Sequence, residues 1–353
     1  MTGKDRLFKT LRFEEPDRPP HFESMFELEY EAFGLRFPER GAWEGCRLRE
    51  KEAMITACME IYVRIVDAYG WDALAVYWPW SDPDGVVAAK KVFGDRIAIG
   101  GMVGGGVWAI ESVKDWSRFA ADLAEAPERI HAEAEAKCAV ALEKIDRMAD
   151  GGADFIFMPH DVAFNAGPFI SPAQFAEFVA PYWARLVERV KDRGALAFIH
   201  TDGQIMPILD QLAGLGADCL QSLDPMAGVD IAEVKRLTYG RLALMGNVQC
   251  SLLQDGPREA IRDSALYCLE HASPGGGYIF STSNTIFPGM PLENYGYMLE
   301  VFKEFNGLRS HTNAASNVCI PGGRGACRAG DSICSFGSAG ASPSRERNHG
   351  VDL

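Results

Sequence analysis

Eight short apolar runs recur along the body of the chain and constrain its fold more than any other feature. Most contain about four to eight largely apolar residues and follow a glycine or a turn, which is typical of strands buried on both faces of a parallel sheet. The runs span 18–24, 71–78, 96–103, 153–161, 195–203, 217–225, 241–248 and 277–284.

Amphipathic segments separate these runs. Several place apolar side chains at intervals of three and four, and the segment 171–194 opens with a Ser-Pro cap and ends at a glycine. We expect helices at 49–69, 126–149, 171–194, 204–214, 229–238, 257–272 and 291–305. Strands alternating with helices predict a (β/α)₈ barrel. An open doubly wound sheet is disfavoured, because no GxGxxG turn follows the first strand and the GGMVGGG run at 100–106 is expected to be a flexible loop.

Charge and cysteine usage narrow the class of protein. The 353 residues carry 35 Lys and Arg against 49 Asp and Glu, a net charge of −14, which argues against a nucleic-acid or anionic-membrane partner. No apolar run approaches the ~20 residues that cross a bilayer, and the N-terminus lacks the pattern of a signal peptide. The nine cysteines form no CxxC pair. We therefore expect a cytoplasmic enzyme with reduced thiols.

The amino-acid composition of the chain changes near residue 308. Residues 1–308 have the alternating pattern of the barrel, whereas 309–353 are rich in Gly, Ser and Ala and hold Cys319, Cys327 and Cys334. Such a composition buries too little surface to offset its ordering entropy. We predict a single barrel domain over 1–308 and a disordered tail over 309–353.

Polar side chains end most of the apolar runs, where a barrel enzyme places its chemistry. His200 and Asp202 are two apart in a strand, so both can face one ligand, and they form a candidate zinc or water-binding pair whose third ligand is left open. His160 and Asp161 are further candidate catalytic residues, with a structural ion pair as the alternative. Side chains at other exits are expected to bind the substrate: His21, Glu23, Tyr77, Trp78, Asn247, Ser281 and Ser283.

Three stretches resemble the uroporphyrinogen decarboxylase superfamily. They are RFEEPDRPPHFE near the start, the run from GPFISPAQFAEFVAPYW through HTDGQIMP, and GGGYIFSTSNTIFPGMPLENY near residue 285. The likeness covers about 12–305 and implies the barrel that the strand pattern also predicts.

That resemblance implies one of two chemistries. The true decarboxylases carry an Arg-rich RQAGRY-like segment that grips substrate carboxylates, whereas this chain has no arginine between Arg18 and Arg36. Relatives that exchange methyl groups with corrinoid proteins and act on thiols hold zinc with a His-x-Cys motif and a later Cys, and the zinc activates the thiolate. Here His200 matches, but Asp202 and Ser281 or Ser283 replace the two sulfur ligands, so a thiolate-activating zinc is in doubt while a harder nitrogen and oxygen site stays open.

The leading hypothesis is methyl transfer between a small methylated compound and a corrinoid protein. His200, oriented by Asp202, is the candidate acid or metal ligand, His160 and Asp161 orient the donor, and Tyr77 and Trp78 cover its apolar part. The alternatives are a uroporphyrinogen-type decarboxylase and a barrel that binds without catalysis. A zinc ion, a partner that supplies the corrinoid and a homodimer are further expectations.

Overall fold

A single parallel sheet organises the computed structural model, which describes residues 1–307. Seven strands pair in the order β1-β2-β3-β6-β7-β8-β9, every pair parallel. A two-stranded antiparallel hairpin, β4 and β5, lies beyond β3. The strands are β1 Ala73–Val76, β2 Ala98–Met102, β3 Phe155–Pro159, β4 Ala163–Phe164, β5 Gly167–Pro168, β6 Leu196–Thr201, β7 Cys219–Ser222, β8 Ala243–Val248 and β9 Tyr278–Thr282.

The segment around His21 closes the sheet into a barrel. His21 forms a parallel bridge with Phe280 of β9, and the Phe280 N–H donates to the Pro20 carbonyl at 2.9 Å. On its other side the His21 carbonyl accepts from the Asp72 N–H at 2.8 Å, next to β1. The first apolar run is thus reduced to a bridge, and the other seven form strands. The predicted (β/α)₈ barrel is confirmed.

Helices follow the strands around the outside. Each α-helix is bounded as follows: α1 Gly3–Leu11, α2 Glu29–Phe33, α3 Arg40–Trp43, α4 Leu48–Tyr69, α5 Pro83–Phe93, α6 Trp116–Glu125, α7 Pro127–Asp150, α8 Pro172–Phe178, α9 Ala180–Asp192, α10 Leu209–Gly214, α11 Ile231–Thr238, α12 Cys250–Asp255, α13 Arg258–Ala272 and α14 Leu292–Phe305. Short 3₁₀ turns lie at Ile110–Ser112, Met206–Ile208 and Pro225–Ala227. In residues 1–307 no helix combines the length and apolar character needed to span a membrane.

Two local predictions need correction. The single helix expected over 171–194 is two helices, α8 and α9, because Pro181 has no N–H to continue the ladder through the first turn of α9. The GGMVGGG run is only partly a loop, since Gly100 and Gly101 belong to β2. A Cβ on Gly100 would lie 2.3 Å from the Phe155 ring, so this strand position needs glycine. The predicted tail, 309–353, lies outside the described residues.

The amino ends of the strands are sealed by α1 and a buried ion pair. The Gly3 N–H donates to the Arg96 carbonyl at 2.9 Å. Asp72, before β1, accepts from Arg6 Nη1 at 2.5 Å and Arg18 Nη1 at 2.6 Å. Removing one partner of such a buried pair costs about 3–5 kcal/mol. The sealed end leaves the opposite end, where the strands finish, as the accessible mouth.

Candidate active site

Asp161, His200 and Asp202 meet at the mouth of the barrel. Pro159 of β3 lies opposite His200 of β6, so Asp161, two residues beyond β3, comes beside the His200 ring. His200 Nε2 lies 3.5 Å from Asp161 Oδ1 and 3.9 Å from Asp202 Oδ1. All three side chains reach solvent in part: the exposed fraction is 12% for His200, 43% for Asp161 and 29% for Asp202. The predicted pair is therefore joined by a third polar group, Asp161.

Neighbouring strand ends hold these groups in place. The His200 Nδ1–H donates to Gln221 Oε1 of β7, which leaves Nε2 facing the carboxylates. Asp202 accepts from Ser222 Oγ and from Asn284 Nδ2, each at 2.5 Å. The Asp202 N–H donates to Asp161 Oδ1 at 3.1 Å. Hydrogen bonds of this kind fix the tautomer and the orientation of a reacting or ligating group.

The backbone is strained at one of these supports. Ser222 has φ +96° and Leu223 φ +57°, the left-handed region that residues with a side chain rarely adopt. Such strain concentrates at functional sites, where the surrounding contacts enforce it. Here the strained turn brings the Ser222 hydroxyl to Asp202.

The three side chains shift one another's pKa values. Burial alone would lower the pKa of His200, but the facing carboxylates of Asp161 and Asp202 outweigh it and raise that pKa. Burial works to raise the pKa of Asp161, yet the hydrogen bond and charge of His200 leave it lowered. Burial raises the pKa of Asp202. The arrangement favours an imidazolium against the Asp161 carboxylate, with its Nε2 proton available at the mouth.

The same three residues also form a candidate metal site. One ligand atom from each lies within 4.8 Å of the other two. The donors are an imidazole nitrogen and carboxylate oxygens, which suit a hard or borderline divalent ion better than a thiophilic one. Cys250, the cysteine that follows β8, is 7% exposed, and burial raises the pKa of its thiol to about 11. The described residues around His200 therefore fit a nitrogen and oxygen site.

An open cleft of about 700 Å³ lies above this group. Asp161 and His200 form part of its floor, and aromatic, basic and acidic side chains contribute to its walls. Its lining comprises Arg40, Tyr77, Trp80, Ser81, Met102, Gly104, Gly105, Glu111, Ser112, Lys144, Pro159, His160, Asp161 and His200. Such a cleft at the carboxyl ends of barrel strands is where ligands bind.

His160 lies at the edge of the cleft, but only 1% of its surface is exposed. Its Nε2 accepts the Gly106 N–H at 3.1 Å, and its ring packs edge-on against Trp183 at 5.1 Å. Burial lowers the pKa of His160 to about 4, so the ring is neutral near pH 7. The structure thus places it as a support of the Gly106 loop, whereas its predicted partner Asp161 joins His200.

His21 and Glu23 are buried away from the cleft. The His21 Nδ1–H donates to the Phe280 carbonyl at 3.0 Å, and the ring packs against Phe302 of α14. Burial lowers the pKa of His21 to about 4. Glu23 Oε2 accepts from Ser281 Oγ at 2.7 Å and from Thr282 Oγ1 at 2.8 Å, while its Oε1 has no partner. Burial raises the pKa of Glu23 to about 7.

Among the other predicted substrate residues, only Tyr77 reaches the cleft. Trp78 stacks on Phe37 with ring centroids 4.2 Å apart, and Trp80 instead faces the cleft. Asn247 Nδ2 donates to the Leu223 carbonyl at 2.6 Å. Ser281 is tied to Glu23, and Ser283 Oγ accepts the Cys250 N–H at 3.4 Å. These side chains stabilise the backbone around the strand ends instead of lining the cleft.

Besides Arg40 at the rim, two charged residues of the cleft were missed from the sequence. Glu111 lies in a 3₁₀ turn after β2, and burial together with the charge of Asp161 raises its pKa. Lys144 lies near the end of the long helix α7. Neither occupies a strand exit, and both fall in segments of ordinary amphipathic composition, so no sequence signal singled them out.

A barrel with polar chemistry at its strand ends defines an enzyme-type (β/α)₈ fold, and the family can be stated more closely. The model of the uroporphyrinogen decarboxylase (URO-D) family matches residues 84–305. Uroporphyrinogen decarboxylase from Anaeromyxobacter dehalogenans is 30% identical over 243 residues, covering 66% of this chain and 67% of that protein. The Coxiella burnetii enzyme is 23% identical over 234 residues, covering 63% and 62%. The chain belongs to the URO-D family of enzymes.

A solved structure extends the likeness in fold. A methyltransferase from Methanosarcina mazei superposes with a TM-score of 0.70 at 18% identity, covering 86% of this chain and 99% of that one. At that identity the match shows the fold. The barrel fold is therefore shared with that methyltransferase.

Proposed function

We propose that this barrel transfers a methyl group between a small methylated donor and a corrinoid protein. The observation that carries the proposal is the Asp161–His200–Asp202 group, set at the floor of an open cleft. The Nε2 proton of His200, or a metal ion in its place, would face the heteroatom of a donor that enters the cleft.

The chemistry requires an activated leaving group. When a methyl group moves from oxygen or nitrogen to a reduced corrinoid, the broken bond leaves its electron pair on the heteroatom. The imidazolium of His200 would deliver its Nε2 proton to that atom, while Asp161 balances the charge of the ring. Asp202 stays oriented by Ser222 and Asn284. The donor thus departs as a neutral alcohol or amine.

A divalent metal ion is the other way to activate the donor. His200 Nε2 and the carboxylates of Asp161 and Asp202 would hold it, with the Gln221 contact to Nδ1 fixing the ligating nitrogen. When bound, such an ion supplies Lewis acidity toward the donor heteroatom. Because the ligands are nitrogen and oxygen atoms, they suit a hard or borderline ion, and the donor that we propose for such an ion is an ether or an amine.

Decarboxylation is the second candidate, favoured by the 30% identity to a uroporphyrinogen decarboxylase. A polycarboxylated tetrapyrrole needs several cations to hold it. The cleft offers Arg40 and Lys144 but presents the carboxylates of Glu111 and Asp161 beside them. This mixed lining supports a smaller substrate, and we rank decarboxylation second.

The experiment is a methyl-transfer assay of the full chain with a reduced corrinoid protein and a panel of methyl ethers and methylamines. We expect cobalt methylation with at least one donor, reduced about 100-fold or more in His200→Asn. His271→Asn, a change on the exposed face of α13, is the matched control and should retain the rate. If wild-type protein methylates no corrinoid but converts uroporphyrinogen to coproporphyrinogen, the decarboxylase reading replaces this one. Inactivity in both assays would favour a binding barrel without catalysis.

The setting of the enzyme is part of the proposal. The six cysteines within residues 1–307 are free thiols, which suits a reducing compartment. We therefore propose a cytoplasmic location, and a homodimer stays a prediction that size-exclusion chromatography would test.

A further inference from the structure

Lys144 is a half-buried cation on the wall of the cleft. It lies on the face of α7 that also carries the buried Ala141, and it lines the cleft together with Tyr77 and Trp80. Within the described part of the chain its ammonium makes no ion pair and no hydrogen bond. A partly desolvated cation without a protein partner is costly, so its persistence in a cleft points to a ligand.

The neighbouring charges do not satisfy Lys144. Asp82 is the carboxylate whose field reaches it, but Asp82 accepts the Asp84 N–H at 2.9 Å and pairs with Lys51 at 3.1 Å. Arg147, one turn further along α7, repels it. Burial, with the charge of Arg147, lowers the pKa of Lys144. An anion entering the cleft would reverse that penalty.

Other groups that line the cleft also suit an anion. The backbone N–H groups of Gly104 and Gly105 have no hydrogen-bond partner among residues 1–307, and both glycines line the cleft. Arg40 stands at the rim, 71% exposed and 3.1 Å from Glu44. The floor, in contrast, carries the carboxylate of Asp161, and Glu111 is a second acidic lining residue. The cleft therefore offers anion-binding groups, Lys144 among them, alongside the proton or metal site at His200.

We propose that Lys144 binds a carboxylate of the methyl donor, so that the substrate is a small methylated carboxylic acid. Its carboxylate would lie against Lys144 and its methylated heteroatom at His200, with Tyr77 and Trp80 covering the carbon skeleton between them. The identity of the bound acid as a methyl donor rests on the proposed function. The anion subsite itself does not, because binding can be measured without turnover.

The test compares two probes that differ in charge. Isothermal titration calorimetry of the full chain would measure the dissociation constants of 4-methoxybenzoate and of its neutral amide, 4-methoxybenzamide. The variant is Lys144→Met, which removes the charge and keeps the bulk. The matched control is Lys137→Met on the same helix, whose ammonium lies 4.8 Å from the Trp108 ring centroid and lines a different groove. Thermal unfolding checks that each variant is folded.

We expect wild type and Lys137→Met to bind the carboxylate about tenfold tighter than the amide, since hydrogen bonds to charged groups are worth that much. Lys144→Met should bind both probes equally. An unchanged preference in Lys144→Met, or no binding of the carboxylate to wild type, would overturn the subsite. Lys144-dependent binding without any cobalt methylation would support the subsite and count against the proposed function. If only neutral donors are demethylated and the rate does not depend on Lys144, the proposed function is supported and the anion subsite is contradicted.

Discussion

Replacing Glu23 by glutamine tests whether burial keeps this carboxyl group protonated in the folded protein. Glu23 is fully buried, and burial raises the pKa of its carboxyl from 4.5 to about 7. Between those two values the unfolded chain has released the proton and the folded chain has kept it. The contribution of Glu23 to stability is therefore greatest below pH 4.5, falls as the pH rises and is lost above about pH 7. The shift corresponds to about 3 kcal/mol of unfolding free energy.

Urea unfolding at pH 5 and pH 8 would measure this loss. Glutamine keeps an oxygen for Ser281 and Thr282 and cannot ionise, so Glu23→Gln should lack the part of this pH dependence that falls between pH 5 and pH 8, about 2 to 3 kcal/mol. The comparison uses the difference between variant and wild type at each pH, because other groups titrate alike in both. Glu31→Gln, an exposed carboxylate on α2, is the control and should follow wild type. An identical pH dependence in Glu23→Gln and wild type would show that the raised pKa of Glu23 does not contribute to the free energy of unfolding.

Three further predictions follow from the same contacts. The His21→Asn variant should be less sensitive to acid than wild type. Burial lowers the pKa of the His21 ring to about 4, so wild type loses about 3 kcal/mol of unfolding free energy as the pH falls from 6.5 to about 4, and the variant should not lose it. Equal acid unfolding curves would contradict this. Gly100→Ala should destabilise the barrel by about 1–3 kcal/mol through its clash with Phe155, whereas Gly214→Ala, with open space around it, should not. Cobalt(II) should bind wild type with an affinity that falls as the pH drops through the raised pKa of His200, and its spectrum should lack a thiolate charge-transfer band. A strong charge-transfer band, or binding retained in the double variant Asp161→Asn/His200→Asn, would argue for another site.

Much of the fold could be predicted because the apolar runs are continuous. A strand buried on both faces has no polar alternation, so seven of the runs mark strands of the parallel sheet, and the first run forms the bridge at His21 that closes the barrel. The departures have local causes. Pro181 divides one predicted helix, and Gly100 belongs to a strand because the Phe155 ring occupies the space of a side chain.

The site was harder to predict for the same physical reason. In a strand without alternation, sequence does not show which residues face inward, so Glu23, Asn247 and Ser281 looked equivalent to His200 although they are held in buried hydrogen bonds. His200 and Asp202 could be paired because residues two apart point alike. Asp161 joins them through the β3–β6 register, which no local pattern reveals. Lys144 and Glu111 reach the cleft from a helix and a turn, and only the fold brings them there.

Formation of methylcobalamin by the purified full chain would show whether this barrel transfers methyl groups to a corrinoid. The protein would be incubated with cob(I)alamin and a methoxylated carboxylic acid carrying a labelled methyl group, with uroporphyrinogen in a parallel reaction. We expect label on cobalt with wild type, a rate lower by about 100-fold or more with His200→Asn, and no coproporphyrinogen. Coproporphyrinogen formed without labelled methylcobalamin, or an undiminished rate in His200→Asn, would contradict it.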